Sequence, residues 1–186
     1  MYRIGGVLMS KTILVVSSSP RKGSNSEKLC DRFIEGAQQA GHYTEKILLK
    51  DCKIGYCVAC ESCCKNGGKC WQKDDMNWIL EKMHKADVLV FATPVYKSCM
   101  CAQLKTMIDR MFAGNQTLVN KEFYFIASAA DSKRAIESTM ESMRGCTFAL
   151  KGAKIMGEIY GANALNPGDI ESSPAITEAY NYGLHV

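Results

Sequence analysis

The sequence predicts a doubly wound α/β fold, a parallel sheet of five strands in the order 2-1-3-4-5 with helices on both faces. Strand-like and helix-like segments alternate along the 186 residues, with no internal repeat and no break in composition. The strand-like segments, such as residues 12–17 and 88–92, are short continuous apolar runs rather than alternating ones. Such runs are typical of strands that are buried on both faces.

Each predicted element has a local signal. The first helix, over residues 25–40, begins where Ser24 and Glu27 have the spacing of a capping box. Gly41 then ends it. The helix over residues 75–86 ends in basic side chains, as the helix dipole favours. The other predicted elements are strands over residues 43–49, 122–127 and 154–160, helices over 102–112 and 133–150, and a last helix that starts near Pro174 and covers 175–183.

The composition limits the classes of function. The net charge of +4 comes from scattered Lys and Arg residues, so nucleic acid is not an expected partner. No apolar run approaches the roughly 20 residues of a membrane span, and no secretory leader is visible, so we expect a cytoplasmic protein with no membrane partner. Residues 1–10 are interpreted as an N-terminal extension and residues 11–186 as a single domain. The ten cysteines indicate metal or redox ligands sooner than disulfides.

The loop after the first strand has the composition of a phosphate site. Hydroxyl, guanidinium and amide donors cluster there, directly before a helix N-terminus, whose free N–H groups and dipole attract anions. An ordinary turn before a capped helix is the alternative, but it leaves Arg21 and the additional hydroxyls unexplained. The candidate anion ligands are Ser19, Arg21, Ser24, Asn25 and Ser26.

A long loop over residues 50–72, between the second strand and the second helix, is rich in cysteine. A loop of this length inside a compact domain is usually functional. Five thiols lie within the fourteen residues 57–70, and a set of four suits a [4Fe-4S] cluster or, less well, a Zn site. The alternative is that the thiols make small apolar contacts beside a cofactor or at a subunit interface. The candidate metal ligands are Cys57, Cys60, Cys63 and Cys70.

Taken together, the motifs resemble those of the NADPH-dependent FMN reductase family, which has a flavodoxin-like fold. The resemblance covers residues 12–182. It is carried by Ser19-x-Arg21-x-x-Ser24-Asn25-Ser26, Asp74-Asp75-Met76, Thr93-Pro94-Val95-Tyr96, Ala102-Gln103-Leu104-Lys105, Ile108-Asp109-Arg110, Tyr160-Gly161 and Pro167-Gly168-Asp169.

The resemblance implies a bound FMN, with its phosphate on the candidate anion ligands and its ring over the ends of the third and fourth strands. It also implies NAD(P)H as co-substrate and a quinone, azo compound, nitroaromatic or free flavin as acceptor. No catalytic side chain is expected, because the hydride chemistry belongs to the cofactor. The implied cofactor contacts at the ring are Thr93, Pro94, Val95, Tyr96, Lys97, Ser98 and Ser128.

The cysteine spacing leaves other functions open. C-x2-C-x2-C-x6-C resembles the compact motif of iron–sulfur flavoproteins, which implies an alternative function: carrying single electrons between a [4Fe-4S] cluster and FMN. A third interpretation is a redox- or metal-sensing module with the cysteine loop as its sensor. A flavin edge exposed on one small domain would be wet, so a homodimer or homotetramer is expected.

Overall fold

The computed structural model describes residues 10–186, so the predicted N-terminal extension lies almost entirely outside the described residues. The strands are β1 (Thr12–Ser17), β2 (Tyr43–Leu48), β3 (Val88–Tyr96), β4 (Cys99–Met100), β5 (Glu122–Ser128) and β6 (Lys154–Gly161). The helices are α1 (Asn25–Gln39), α2 (Ser62–Lys65), α3 (Met76–Lys85), α4 (Ala102–Arg110), α5 (Lys133–Gly145) and α6 (Pro174–Leu184), with 3₁₀ turns at Leu49–Asp51, Met111–Gly114 and Asp169–Ser172.

Five of the strands form a parallel sheet in the order β2-β1-β3-β5-β6. This order confirms the predicted 2-1-3-4-5 arrangement. The two-residue strand β4 is an addition, and it pairs antiparallel with the end of β3. The sheet therefore brings the carboxyl ends of β1, β3, β5 and β6 to one edge, which is where doubly wound folds bind ligands.

The sheet separates two apolar cores, as continuous apolar strands predict. Ile13 and Val15 of β1 face the core beneath α1 and α6, while Leu14 and Val16 face the core beneath α3, α4 and α5. Each core buries side chains that recur at helical spacing, Leu29 and Phe33 among them. The helices thus cover both faces of the sheet.

Two glycines allow α1 and α6 to pack with their backbones almost in contact. A Cβ atom added at Gly36 would lie 2.1 Å from the Tyr180 carbonyl oxygen, and one added at Gly183 would lie 2.0 Å from that of Phe33. No side chain fits at either position without moving a helix. This close packing fixes α1, and with it the helix N-terminus at the predicted phosphate loop.

Two predicted boundaries are wrong. The third strand was expected to end at residue 92, but β3 continues to Tyr96, because its pairing with β5 extends to Pro94 and its last two residues pair with β4. The helix predicted over residues 133–150 ends at Gly145. Beyond it, backbone bonds from Cys146, Thr147 and Phe148 to the third preceding carbonyl form tight turns, which continue the chain without a helix.

Candidate cofactor-binding site

A cavity of about 240 Å³ lies at the carboxyl edge of the sheet. Four separate stretches of chain form its walls: the β1–α1 loop with the start of α1, the end of β3, the end of β5 and the loop after β6. Its lining residues are Ser19, Arg21, Ser24, Asn25, Pro94, Val95, Tyr96, Ser128, Ala129, Ala130, Ala164, Leu165 and Pro167. Eight of the twelve predicted cofactor contacts therefore meet in one pocket.

The polar wall is built by the start of α1. Ser24 caps the helix, and its Oγ accepts a bond from the Glu27 amide at 3.3 Å. The Glu27 carboxylate in return accepts a bond from the Gly23 amide at 3.2 Å, one residue before the Ser24 amide that a capping box would use. The first helical N–H groups have no acceptor inside the helix and lie at the positive end of its dipole. This wall can therefore bind an anion.

Arg21 supplies the only formal positive charge among the residues that line the pocket. Its side chain is exposed, and one guanidinium nitrogen lies 3.4 Å from the Leu165 carbonyl oxygen across the pocket mouth. The Arg21 amide donates to the Ser19 hydroxyl at 3.2 Å, which shapes the turn between the two residues. The guanidinium keeps free donors for an anionic ligand.

Asn25 lines the pocket, but its side chain is engaged with the protein. Its amide nitrogen donates to the carbonyl oxygens of Ala164 at 3.1 Å and Asn166 at 2.9 Å. Its oxygen accepts from the Gly168 amide at 3.0 Å. This side chain therefore holds the loop after β6 against α1, and its contact with a phosphate stays a prediction.

The wall opposite the helix is mostly apolar. Pro94, Val95 and Tyr96 come from the last residues of β3, and Ser128 is followed by two alanines at the end of β5. Ser128 and Tyr96 supply the hydroxyl groups on this wall. An apolar slot with few polar groups is typical of a site for a flat aromatic ligand.

Four predicted contacts do not line the cavity. The buried hydroxyl of Thr93 accepts a bond from the Cys101 amide at 3.0 Å, so it supports the start of α4 instead. Ser26 is buried with its hydroxyl 3.4 Å from that of Ser24. Lys97 and Ser98 form the exposed turn between β3 and β4, both with positive φ, and neither lines the described cavity.

The residues that sequence reasoning missed are Ala129, Ala130, Ala164, Leu165 and Pro167. The turn-rich composition of residues 161–173 predicts a loop but not its place. The bonds from Asn25 join this loop to the start of α1, and a backbone bond from the Ala164 amide to the Ala129 carbonyl oxygen at 2.8 Å joins it to the end of β5. These partners are far apart in the chain, so no local pattern predicts them.

The cysteine loop, residues 52–75 in the structure, contains free thiols that differ in their exposure to solvent. Cys57 and Cys60 are exposed, while Cys63 and Cys70 are partly buried. The indole N–H of Trp71 donates to the Cys60 sulfur at 3.2 Å. Within residues 10–186 the conformation does not gather three metal-binding side chains into one site. The set of thiol donors fits an iron–sulfur cluster, whereas their positions here do not yet enclose one.

Asp74 and Arg110 form a buried ion pair at the base of this loop. The guanidinium makes two bonds to the carboxylate, at 2.6 and 2.9 Å, and the Arg110 side chain is only 1% exposed. Burial by itself raises the pKa of the Asp74 carboxyl, but hydrogen bonds from Arg110 and the Gly55 amide outweigh it and leave that pKa below its ordinary value. The carboxylate is therefore ionised at neutral pH.

The comparison with known families decides which class of protein has this site. The model of the family described as NADPH-dependent FMN reductase matches residues 11–164. The chain belongs to this family. Membership confirms the predicted class of enzyme, an FMN-dependent NAD(P)H oxidoreductase, and the resemblance from which it was inferred.

This FMN reductase family member is also similar to archaeal iron–sulfur flavoproteins. One from Methanocaldococcus jannaschii is 30% identical over 185 residues, which cover 94% of each chain. One from Archaeoglobus fulgidus is 36% identical over 96 residues, which cover 52% of this chain. That match spans only 43% of the relative's own length.

Among solved structures, the NAD(P)H:quinone oxidoreductase of Methanothermobacter marburgensis superposes with a TM-score of 0.72 at 20% identity. The superposition covers 95% of this chain and 97% of the other, and it confirms the flavodoxin-like fold. None of the helices within residues 10–186 combines the length and apolar character that a bilayer crossing requires.

Proposed function

We propose that this FMN reductase family member binds FMN in the cavity at the carboxyl edge of the sheet and uses NAD(P)H to reduce a small acceptor. A quinone, an azo compound, a nitroaromatic or free flavin is the acceptor class. The observation that carries the proposal is the pocket itself, which joins an anion-binding helix N-terminus to an apolar slot. FMN has the same division into a phosphate tail and a flat ring.

The polar wall would hold the phosphate. The Ser19 and Ser24 hydroxyls, the start of α1 and the exposed Arg21 side chain all border one end of the pocket. A phosphate monoester carries a charge of about −1.5 to −2 at neutral pH, so it gains more than a neutral group from the guanidinium and the helix dipole.

The apolar wall would hold the ring and exclude water from it. Val95 and Tyr96 at the end of β3 and Ala129 and Ala130 after β5 supply this wall. The hydride and electron chemistry belongs to FMN when it is bound. The protein's part is to orient the ring and to leave one face open to the nicotinamide donor and the acceptor.

Comparing FMN with riboflavin tests the phosphate site, because riboflavin lacks only the phosphate. We expect Arg21→Ala to weaken FMN binding by about 10- to 100-fold. This corresponds to the loss of one hydrogen bond to a charged group, which contributes about 1.5–3 kcal/mol. Its riboflavin affinity should stay at the wild-type value. Lys22→Ala is the matched control, since Lys22 is the exposed neighbour outside the described cavity. Fluorescence titration measures both ligands.

The variant Asn25→Ala distinguishes a residue that binds the phosphate from a residue that shapes the pocket. Because Asn25 holds the loop after β6, its loss should weaken FMN and riboflavin to a similar extent. If Arg21→Ala leaves the preference for FMN over riboflavin unchanged, the proposed phosphate site is wrong.

A second candidate function is suggested by the cysteine loop. We propose that Cys57, Cys60, Cys63 and Cys70 hold a [4Fe-4S] cluster, so that the protein passes single electrons between this cluster and FMN. The free thiols of the loop and the similarity to the M. jannaschii iron–sulfur flavoprotein along 94% of the chain support it. Thiolates are the usual ligands of such clusters.

The visible absorption spectrum and the iron content of anaerobically purified protein distinguish the two functions. FMN alone gives two visible bands and no iron. A cluster adds a broad brown absorbance that dithionite bleaches, with iron bound at a constant ratio to protein. Iron-free protein that still oxidises NAD(P)H with a quinone would support the reductase and rule out the electron carrier. The homo-oligomeric state and the cytoplasmic location stay predictions.

A further inference from the structure

We propose that Arg110 is the positioning residue of the cysteine loop, and that its guanidinium holds Cys70 in place between the two ends of the loop. The part that concerns iron rests on the second candidate function above. The part that concerns loop order rests only on the contacts of Arg110 itself.

The contacts of Arg110 reach both ends of the loop. Nη1 donates to the Gly55 carbonyl oxygen at 2.7 Å, on the strand side. It also donates to Gln72 Oε1 at 3.1 Å, on the helix side. Nη2 lies 3.5 Å from the Cys70 sulfur, at hydrogen-bonding distance for that atom. One side chain of α4 therefore joins positions 55, 70 and 72.

Asp74 completes this anchor. Its carboxylate receives both ends of the guanidinium and also accepts a bond from the Gly55 amide at 2.8 Å. Gly55 is thus held through its N–H by Asp74 and through its C=O by Arg110. We call Gly55, Cys70, Gln72, Asp74 and Arg110 the loop anchor.

The planar fork of arginine is what makes this arrangement work. Lysine offers the same charge from a single nitrogen and could not bond the carboxylate, a carbonyl and a sulfur in these directions at once. Arg110 Nε is buried and has no acceptor among the described residues, so one donor is still available beside the loop. An anionic group bound by the loop thiols is the kind of acceptor that this donor lacks.

The anchor leaves the thiols unequal. Cys70 is held by the buried Arg110, whereas Cys57 and Cys60 are exposed and the N–H···S bond to Cys60 comes from the exposed indole of Trp71. Because one ligand and both loop ends are fixed beforehand, closing the remaining thiols around iron costs less conformational entropy than ordering the whole loop. The N–H···S bond to Cys70 would also favour the more negative reduced state of a cluster and so raise its reduction potential.

The test removes the fork without leaving a lone buried charge. The double variant Asp74→Asn/Arg110→Met removes both charges. The variant Arg110→Lys keeps the positive charge and removes only the planar guanidinium group. The control Lys105→Met/Asp109→Asn removes an exposed ion pair of 2.6 Å on the same helix that does not contact the loop. Circular dichroism and FMN titration establish that each variant keeps the fold and the pocket.

Hydrogen exchange of iron-free protein is the first readout. We expect amides of residues 53–75 to exchange at least about tenfold faster in both Arg110 variants, because charged hydrogen bonds that hold the loop are lost. The control should exchange like the wild type. Unchanged exchange in both Arg110 variants would overturn the assignment of Arg110.

Anaerobic reconstitution with ferrous iron and sulfide is the second readout. Both Arg110 variants should lose iron to a chelator several-fold faster than the control. In Arg110→Lys the midpoint potential of bound iron should also fall, which a purely structural role would not cause. Equal iron loss and potential in variants and control would contradict the proposal. If the wild type binds no iron, the second candidate function fails, and the exchange data alone decide whether Arg110 positions the loop.

Discussion

Arg21 and Asn25 lie four positions apart in the β1–α1 loop and have opposite surroundings. Arg21 is exposed, with one bond of 3.4 Å to a backbone oxygen, while Asn25 is buried and bonded to a loop about 140 residues away. From the sequence alone, both side chains are expected to donate hydrogen bonds to an anion. Only the partners of each side chain separate a residue free for a ligand from one that supports the pocket.

Glu158 gives a pH dependence at the residue scale. It binds Arg144 through two bonds of 2.6 and 2.7 Å that join β6 to α5. The bonds from Arg144 lower the pKa of Glu158 in the folded protein. Its ionisation therefore stabilises the fold above the ordinary glutamate pKa of about 4.3, and that contribution is lost as the pH falls through the lower folded-state value.

We expect Glu158→Gln to reduce the free energy of unfolding at pH 7 and to flatten its decline on the acid side. Urea unfolding between pH 7 and pH 3 measures both effects. Glu141→Gln is the matched control, because Glu141 lies exposed on α5 and forms no ion pair in the described part of the chain. If the free energy of unfolding declined as steeply toward low pH in Glu158→Gln as in the control, the Glu158–Arg144 pair would not be the source of this pH dependence.

At the scale of elements, the packing of α1 on α6 determines where the N-terminus of α1, the proposed phosphate site, lies. The two helices meet at Gly36 and Gly183, where an added Cβ would approach a backbone oxygen to about 2 Å. Neither glycine is predicted from the sequence to be essential, since glycine inside a helix normally lowers stability. Here the close approach of two backbones explains both.

We expect Gly36→Ala and Gly183→Ala each to destabilise the protein by about 1–3 kcal/mol, because overpacking outweighs the gain of about 1 kcal/mol in helix propensity. Gly145→Ala is the control: no atom lies within 4 Å of its added Cβ. It should be neutral or slightly stabilising. Chemical unfolding of the three variants measures the difference, and equal stabilities would show that α1 and α6 can separate at no cost.

At the scale of the whole molecule, the pocket depends on four stretches that are distant in the chain. Residues 19–25, 94–96, 128–130 and 164–167 meet because the sheet order places β3 between β1 and β5 and the loop after β6 folds back over α1. A ligand that fills the pocket would contact all four and so stabilise the fold as a unit.

FMN should therefore raise the melting temperature by roughly 5–10 °C at about 100 times its dissociation constant, equivalent to about 2.7 kcal/mol. Riboflavin at the same concentration should raise it less, and Arg21→Ala should abolish the difference between the two ligands. Differential scanning fluorimetry measures this. Equal shifts for FMN and riboflavin in the wild type would contradict a phosphate site in the pocket.

The sequence alone determined the α/β class, the strand order and the polar loop at the start of α1. These depend on continuous apolar runs, capping residues and chain alternation, which are local properties. It also singled out the four cysteines, because their spacing is visible in the chain. It did not distinguish the roles of residues inside these motifs.

Only the tertiary structure decided that Asn25 supports the loop after β6, that Thr93 supports α4, and that Arg110 joins both ends of the cysteine loop. Each of these roles is a hydrogen bond between residues far apart in the chain. Such partners depend on how helices and loops pack across the sheet, and no local pattern of residues encodes that packing.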